Sequence, residues 1–363
     1  MARTMTAEAL RARLERGEAL TVLDIRDDEA RAEWSIPGSL HVDASEGLAP
    51  LERLDLPAER PVVAVCYAGN SSLAAAALLE RRGFDAYSLE GGMAAWSLAW
   101  NVAEVTPPGA ATTILQVRRT GKGCLSYVVA SRGEAAVVDP SLPVEVYLDL
   151  ATARGWSIAR VLETHVHADH LSRARALAER AWARLVLPET KRVSFARESA
   201  REGDEMRVGD ASVRVLATPG HTAESVCYHV DGRFLLTGDT LFLDAVGRPD
   251  LEASRDEARM RAASLHGALA RLLALPDDAL VLPAHADEPV PFDGRPLAAS
   301  LADVRAAVAP RLASREAFVE DVLARLPPAP PNSRRIVAFN EAGVLPESEA
   351  ATLEAGANRC AVR

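Results

Sequence analysis

Between residues 164 and 170 the chain reads Thr164-His165-Val166-His167-Ala168-Asp169-His170, three imidazoles and a carboxylate within six residues. The motif follows the apolar stretch 159–162 and precedes a helical pattern. Alternating residues at a strand end point the same way, so His165 and His167 can converge on one centre. Asp169 and His170 can address the same ion, a second ion or the first ligands. Three later motifs each close an apolar, strand-like run: Pro219-Gly220-His221-Thr222, Gly238-Asp239-Thr240-Leu241-Phe242 and Pro283-Ala284-His285. Five of the eight histidines lie in these motifs, and only His41, His229 and His266 lie outside them. Each motif thus sits where an active-site loop on a packed sheet is expected. Imidazole and carboxylate suit zinc or iron, with no thiolate needed.

The 363 residues exceed one domain of about 150. Apolar residues make up 48% and charged residues 25%, so a core is easily buried under a well-solvated surface. The net charge of −10 disfavours nucleic-acid and acidic-membrane binding, both of which need basic surface. Four irregularly spaced cysteines, Cys66, Cys124, Cys227 and Cys360, make neither a disulfide framework nor a CxxC zinc pattern. The charged first twenty residues offer no apolar run for a signal peptide or a membrane span, and a reducing cytoplasm is the expected location.

The spacing predicts a first helix over 6–16 with Thr6 as N-cap, strands at 20–25, 62–65 and 86–89, and a helix over 71–82 closed by Gly83. Strands alternating with helices imply a parallel sheet with helices on both faces. Residues 101–111, with two prolines and a glycine, read as a linker. Beyond it come two β-rich stretches with helices near 145–155, 171–184 and 254–274, the pattern of two sheets packed face to face. Two helices are expected over 296–326, and the tail after the proline-rich 326–332 carries no readable pattern.

Cys66 ends the apolar strand and is followed by Tyr67-Ala68-Gly69-Asn70-Ser71 and a helix. A tight loop with glycine and asparagine can curl its amides inward, and these with the helix N-terminus lower a thiol pKa from about 8.5 toward neutrality. Such a thiolate attacks a sulfane sulfur, and the loop then cradles the persulfide anion. Cys124 and Cys227, at a strand start and inside a strand, read as small buried hydrophobes. Cys360, near the C-terminus, is open between the metal pocket and an inert tail.

Residues 5–100 resemble a rhodanese domain through Leu23-Asp24-Ile25-Arg26, Ile36-Pro37-Gly38-Ser39, the Cys66 loop and Gly91-Gly92-Met93-Ala94-Ala95-Trp96. Many rhodaneses carry arginines where this loop has Tyr67 and Ser71, so dianionic thiosulfate is expected to be a poor donor and a monoanionic persulfide a better one. The histidine motifs resemble the metallo-β-lactamase superfamily over roughly 112–295, which implies an αββα sandwich with metal at one edge of the sheets. The implied organisation is a rhodanese-like domain over 1–100, a linker over 101–111, a metallo-β-lactamase-fold domain over 112–295 and a helical C-terminal extension over 296–363.

Within that superfamily, the Gly-His-Thr and Gly-Asp-Thr-Leu-Phe motifs, Gly247-Arg248-Pro249-Asp250 and Pro-Ala-His resemble two thiol-linked branches, the glyoxalase II thioesterases and the persulfide dioxygenases, of which the last two motifs and the rhodanese-like segment favour the dioxygenases. The dioxygenase resemblance implies one Fe2+ per chain on His165, His221 and Asp239, with His167, Asp169, His170 and His285 orienting ligands and waters. The thioesterase resemblance implies two Zn2+ per chain, those four residues holding the second. Arg248 and Asp250 are expected to pair and shape a substrate loop. Glutathione-specific dioxygenases continue after Pro-Ala-His with Asp-Tyr; here Ala286-Asp287-Glu288-Pro289 follows, so the carrier is glutathione or another small thiol. Expected partners are a small-molecule thiol persulfide and O2, with neither nucleic acid nor membrane, and a homodimer as the conceivable assembly. A persulfide-binding module without turnover is the further alternative for the first domain.

Overall fold

A computed structural model describes residues 2–286, 290 and 292–363. The first unit is a parallel sheet of β1 (Thr4–Met5), β2 (Thr21–Asp24), β3 (Leu40–His41), β4 (Val62–Val65) and β5 (Ala86–Leu89), in the order β1-β5-β4-β2-β3. Every residue of β2 and β4 is buried, as in a sheet covered on both faces. Successive residues of β4 serve opposite cores. Val62, Ala64 and then Cys66 face one cluster with Leu23 and Leu79, whereas Val63 and Val65 face another with Leu10 and Trp96. The expected first helix is present as Ala7–Glu15, capped by Thr6, whose hydroxyl accepts from Ala9 N at 3.2 Å. The helix after Cys66 runs over Asn70–Arg81, behind Gly69 at φ +84°.

Residues 101–104, read above as linker, form strand β6 (Asn101–Glu104) instead. It pairs antiparallel with β7 (Thr113–Arg118), Asn101 opposite Arg118, and Asn101 Oδ1 accepts from Arg118 Nε at 2.8 Å. The prolines belong to the hairpin loop that follows, not to a tether. Four residues of alternation beside two prolines were too short a signal to register as a strand. The first unit therefore runs straight into the edge of the second.

The second unit stacks two sheets. One contains β6, β7, β8 (Leu125–Ser131), β9 (Glu134–Val138), β10 (Ser157–Leu162), β11 (Arg184–Pro188) and β12 (Glu198–Ala200), ordered β12-β11-β10-β9-β8-β7-β6. The other draws on β13 (Glu205–Val208), β14 (Ala211–Ala217), β15 (Val226–Val230), β16 (Phe234–Gly238), β18 and β19, where β17 is Val246–Gly247, β18 Leu280–Pro283 and β19 Ala299–Ser300. Tyr127, Val129, Val138 and Leu162 of the first sheet meet Val213, Val215, Tyr228 and Leu236 of the second in the central core. Helices Val144–Ala153 and Ala174–Ala181 cover the first sheet. Helices Arg255–Leu272, Leu301–Val308 and Arg315–Ala324 cover the second. The result is the αββα sandwich expected from the resemblance.

The unread tail proves structured. Helices Ser333–Ala342 and Glu347–Glu354 lie across the loops after β10, and β20 (Ala361–Val362) pairs antiparallel with β17. Among the described residues no helix is long and apolar enough to cross a membrane.

Candidate metal centre

The sequence motifs converge. The loop after β10 carries His165 to His170, the loop after β14 carries His221, the end of β16 leads into Asp239, and the end of β18 leads into His285. All are buried. His165, His221 and Asp239 form one group of ligand atoms: Asp239 Oδ2 lies 3.7 Å from His165 Nε2 and 3.6 Å from His221 Nε2. These separations are too long for hydrogen bonds. Two donors each about 2.1 Å from one ion stand roughly 3–3.5 Å apart, so the spacing suits a shared cation. Among the described residues, His165 Nε2 and Asp239 Oδ2 have no hydrogen-bond partner, a costly state for buried polar atoms unless something else binds them.

Neighbouring bonds set the tautomers. His221 Nδ1 can only donate to the carbonyl oxygen of Arg248, 2.8 Å away, which leaves its Nε2 lone pair facing Asp239. Thr164 donates its hydroxyl to Asp139 Oδ2 at 2.8 Å and its N–H to Asp139 Oδ1 at 2.7 Å. Its oxygen is then an acceptor for His165 Nδ1–H at 2.9 Å, and His165 Nε2 is likewise left bare. Burial, reinforced by the adjacent His167, holds His165 well below the usual histidine range, and burial lowers His221 too. Both rings are neutral, as ligands must be. Burial opposes ionisation of Asp239, but His285, His165 and His221 outweigh it and keep the carboxylate charged.

His167 lies outside that group. Its Nε2 is 2.7 Å from Glu163 Oε2 and 3.3 Å from Asp139 Oδ1, and these carboxylates overcome burial to raise it well above the ordinary histidine range. Asp169, His170 and His285 form a second buried group, joined by Cys124. His285 reaches both groups, with Nδ1 2.5 Å from Asp239 Oδ1 and Nε2 2.9 Å from Asp169 Oδ2.

Cys124 therefore departs from its reading as a mere small hydrophobe. It is buried, but its Sγ lies 3.4 Å from Asp169 Oδ2. Burial and Asp169 push its thiol up, yet His170 and His285 bring it down to about 6. Cys227 does behave as expected: burial inside β15 pushes its thiol up to about 12. Cys360 takes the pocket side of its open alternative, grouped with Asp239 and His285.

Arg248 and Asp250 form the expected pair, with Nε–Oδ1 and Nη2–Oδ2 both 2.8 Å. The guanidinium also donates to the carbonyls of Pro327, Pro328 and Arg359, and Arg248 N donates to Cys360 O. It thus ties the C-terminal tail to the residue that orients His221. Sequence reasoning missed several supports. Asp139 and Glu163 end their strands as single acids, and Asn340 donates to the carbonyls of His167 and His170, both at 2.9 Å, from a helix 170 residues away. Glu354 accepts from Leu171 N at 2.7 Å and pairs with Arg119 at 2.8 Å and with Arg173. Asp287, Glu288 and Pro289, which follow Pro-Ala-His where glutathione-specific dioxygenases have Asp-Tyr, lie outside the described residues.

In the first unit, Cys66 Sγ sits 3.2 Å from Ser72 Oγ and accepts from Ser72 N at 3.4 Å. Ser72 Oγ is in turn 2.8 Å from Ser88 Oγ. Burial raises the Cys66 thiol, but the Ser72 hydroxyl and the N–H groups of Ser72, Gly69 and Ala68 outweigh it and lower the pKa overall. Gly69 and Ala68 contribute amides, Tyr67, Ala68, Asn70 and Ser71 are exposed, and the side chain that touches the sulfur is Ser72, one residue beyond the loop as read.

Residues 119–285 match the metallo-β-lactamase superfamily, and residues 6–99 match the rhodanese-like domain. A solved structure of ETHE1 from Myxococcus xanthus is 32% identical, with a TM-score of 0.56, covering 63% of this chain and 97% of that one. The chain belongs to the metallo-β-lactamase superfamily and carries a rhodanese-like domain in front. A metallo-β-lactamase from Staphylococcus aureus subsp. aureus COL, 22% identical with a TM-score of 0.59 over 65% of this chain and 74% of that one, shares the superfamily fold. The hydroxyacylglutathione hydrolase of Rhizobium etli is 35% identical over 141 residues, 38% of this chain and 52% of that protein. The chain spans about half the length of such curated relatives. The convergent, unsatisfied ligand atoms described above fit a bound metal ion.

Proposed function

We propose that the chain is a persulfide dioxygenase with a fused rhodanese sulfurtransferase domain. It oxidises a low-molecular-weight thiol persulfide, glutathione persulfide first among them, to sulfite and the free thiol. One persulfide, one O2 and one water yield thiol, sulfite and two protons. The observation that carries this reading is the division of donors: two neutral imidazoles and one carboxylate converge, while His167 is held by Glu163 and Asp139. Such a two-histidine, one-carboxylate set suits non-haem iron. Ferrous iron, when bound, supplies the redox chemistry by which O2 oxidises the outer sulfur. His165, His221 and Asp239 would hold it. Thr164 and the Arg248 carbonyl keep the imidazole lone pairs aimed inward, and the burial of the whole group excludes bulk water. The likeness to ETHE1 over nearly all of that chain supports the dioxygenase branch.

The rival is a dinuclear zinc thioesterase of the hydroxyacylglutathione hydrolase type, favoured by the names of the curated relatives and by the second donor group. An oxygen electrode separates the two. With glutathione persulfide we expect about one O2 consumed per persulfide, with sulfite appearing in step. Cleavage of S-lactoylglutathione without oxygen uptake would overturn the proposal.

Cys66 attacks the outer sulfur of a small persulfide, the donor's S–S bond breaks, its thiolate leaves, and Cys66 carries the persulfide. The lowered thiol pKa enlarges the share of nucleophilic thiolate over that of an ordinary cysteine. Thiolate absorbance should titrate with a midpoint below the free-cysteine value of about 8.5, and Ser72→Ala should move it upward. An unmoved midpoint would remove Ser72 from this role. With Tyr67 and Ser71 at the loop positions where other rhodaneses have arginine, glutathione persulfide should exceed thiosulfate as donor at least about tenfold in kcat/KM, or roughly 1.4 kcal/mol. Equal turnover would contradict the loop argument.

A further inference from the structure

We infer that Lys122 and Asn358 form a subsite for the carrier of the persulfide, at the seam between the two units. It holds a carboxylate on the Lys122 ammonium and the neighbouring peptide N–H on the Asn358 amide. The inference rests on the reading of the chain as an enzyme of small-thiol persulfides, and it names the part of the carrier that is gripped.

Lys122 stands in Gly121-Lys122-Gly123, and the two glycines let the segment enter a narrow seam. A Cβ on Gly121 would come within 1.7 Å of Trp96 O. One on Gly123, whose φ is +104°, would come within 2.7 Å of Ala286 O. The first unit holds the segment from one side: Gly121 N donates to Ala99 O at 3.0 Å, and Trp34 Nε1 donates to Gly121 O at 2.8 Å. From the other side Ala286 N donates to Gly123 O at 2.8 Å. The C-terminal tail lies against both units, with Gly356 O accepting from Lys122 Nζ and Arg359 paired to Glu33 at 2.6 Å.

Lys122 is only 6% exposed. Its ammonium makes one long hydrogen bond, 3.5 Å to Gly356 O, and among the described residues no carboxylate pairs with it. A buried cation in that state is costly until an anion reaches it. Asn358 follows Gly356 by two residues and buries both ends of its side-chain amide. Neither Oδ1 nor Nδ2 has a hydrogen-bond partner among the described residues. Such an amide calls for a donor and an acceptor together, so an inorganic anion would answer only half of it. A peptide carboxylate answers all of it. Its oxygens accept from Lys122 Nζ and Asn358 Nδ2, and the N–H beside it donates to Asn358 Oδ1. The donor groups are near. Cys124, two residues after Lys122, bridges His285, and Cys360, two residues after Asn358, groups with Asp239 and His285. Two residues of chain span at most about 7 Å, a distance that a peptide thiol covers between its sulfur and its terminal carboxylate.

Isothermal titration of the full chain with S-methylglutathione, whose sulfur is blocked, reads the subsite without turnover. Lys122→Met should weaken binding at least about tenfold and Asn358→Leu at least about threefold, the charged contact being the stronger. In oxygen uptake, Lys122→Met should lower kcat/KM for glutathione persulfide, relative to the carboxylate-free persulfide of 2-mercaptoethanol, at least about tenfold and mainly through KM. A lysine that only supported the fold would betray itself in the ligand-free chain, where Lys122→Met would melt lower. Loss of an unpaired buried cation should instead leave the melting midpoint equal or higher. Equal affinity for S-methylglutathione in wild type and Lys122→Met, no binding by the wild type, or a lower ligand-free midpoint would overturn the assignment. Weakened binding in the variant, with no oxygen uptake by the wild type on any persulfide, would sustain the subsite and overturn the dioxygenase reading instead.

Discussion

Asp239→Asn should leave the chain unable to retain iron, with dioxygenase turnover lost in parallel. Asparagine matches the shape of the carboxylate and can still present Oδ1 to His285, so packing is preserved. What disappears is the negative charge between two neutral imidazoles, 3.7 and 3.6 Å from their Nε2 atoms. Removing a group that merely orients a ligand costs about 10–100-fold in metal affinity, and loss of the only anionic ligand should exceed that range. Iron per chain after dialysis, with oxygen uptake on the same sample, measures both effects. A variant that keeps iron and turnover would show that Asp239 is not a ligand.

Arg248→Ala carries the largest expected effect on stability. The guanidinium donates to both oxygens of Asp250 and to three main-chain carbonyls, and it is almost wholly buried. Its removal leaves the Pro327, Pro328 and Arg359 carbonyls without that donor. It also frees the tail that pairs through Ala361–Val362 with Val246–Gly247. Breaking a buried pair costs about 3–5 kcal/mol; the Asp250 side chain is 24% exposed, which puts the expected loss toward the lower end. Because the Arg248 carbonyl orients His221, iron affinity should also fall by about 10–100-fold. Arg248→Lys should restore little of either, since one ammonium cannot replace five fixed donors. Denaturant melts with and without iron separate the two effects, and an unchanged midpoint would contradict the account of the tail.

The metal motifs were legible because each stands at the end of an apolar run and together they hold most of the chain's histidines. Local chemistry announced both the strand and the ligand. The supports were not legible in the same way. Asn340 and Glu354 occupy helices whose surroundings depend on how the C-terminal extension returns to the loop after β10, and no local pattern encodes that return. Cys124 looked like core because its neighbours Leu125 and Tyr127 are core; its antiparallel backbone bridge with His285 sets it beside the metal loops, where its sulfur meets Asp169. Strand β6 was hidden by the prolines behind it. Ser72 was missed because loop residues were weighed for the loop itself, whereas the sulfur is met by the first turn of the helix.

The central claim is that His165, His221 and Asp239 share one iron. Crystals grown under anaerobic conditions, with anomalous differences collected on either side of the iron absorption edge, test it most directly. The account predicts a single iron peak about 2.0–2.2 Å from His165 Nε2, His221 Nε2 and Asp239 Oδ2, with His167 still bound to Glu163. A zinc pair with His167 turned in as a ligand, and no iron signal, would contradict it.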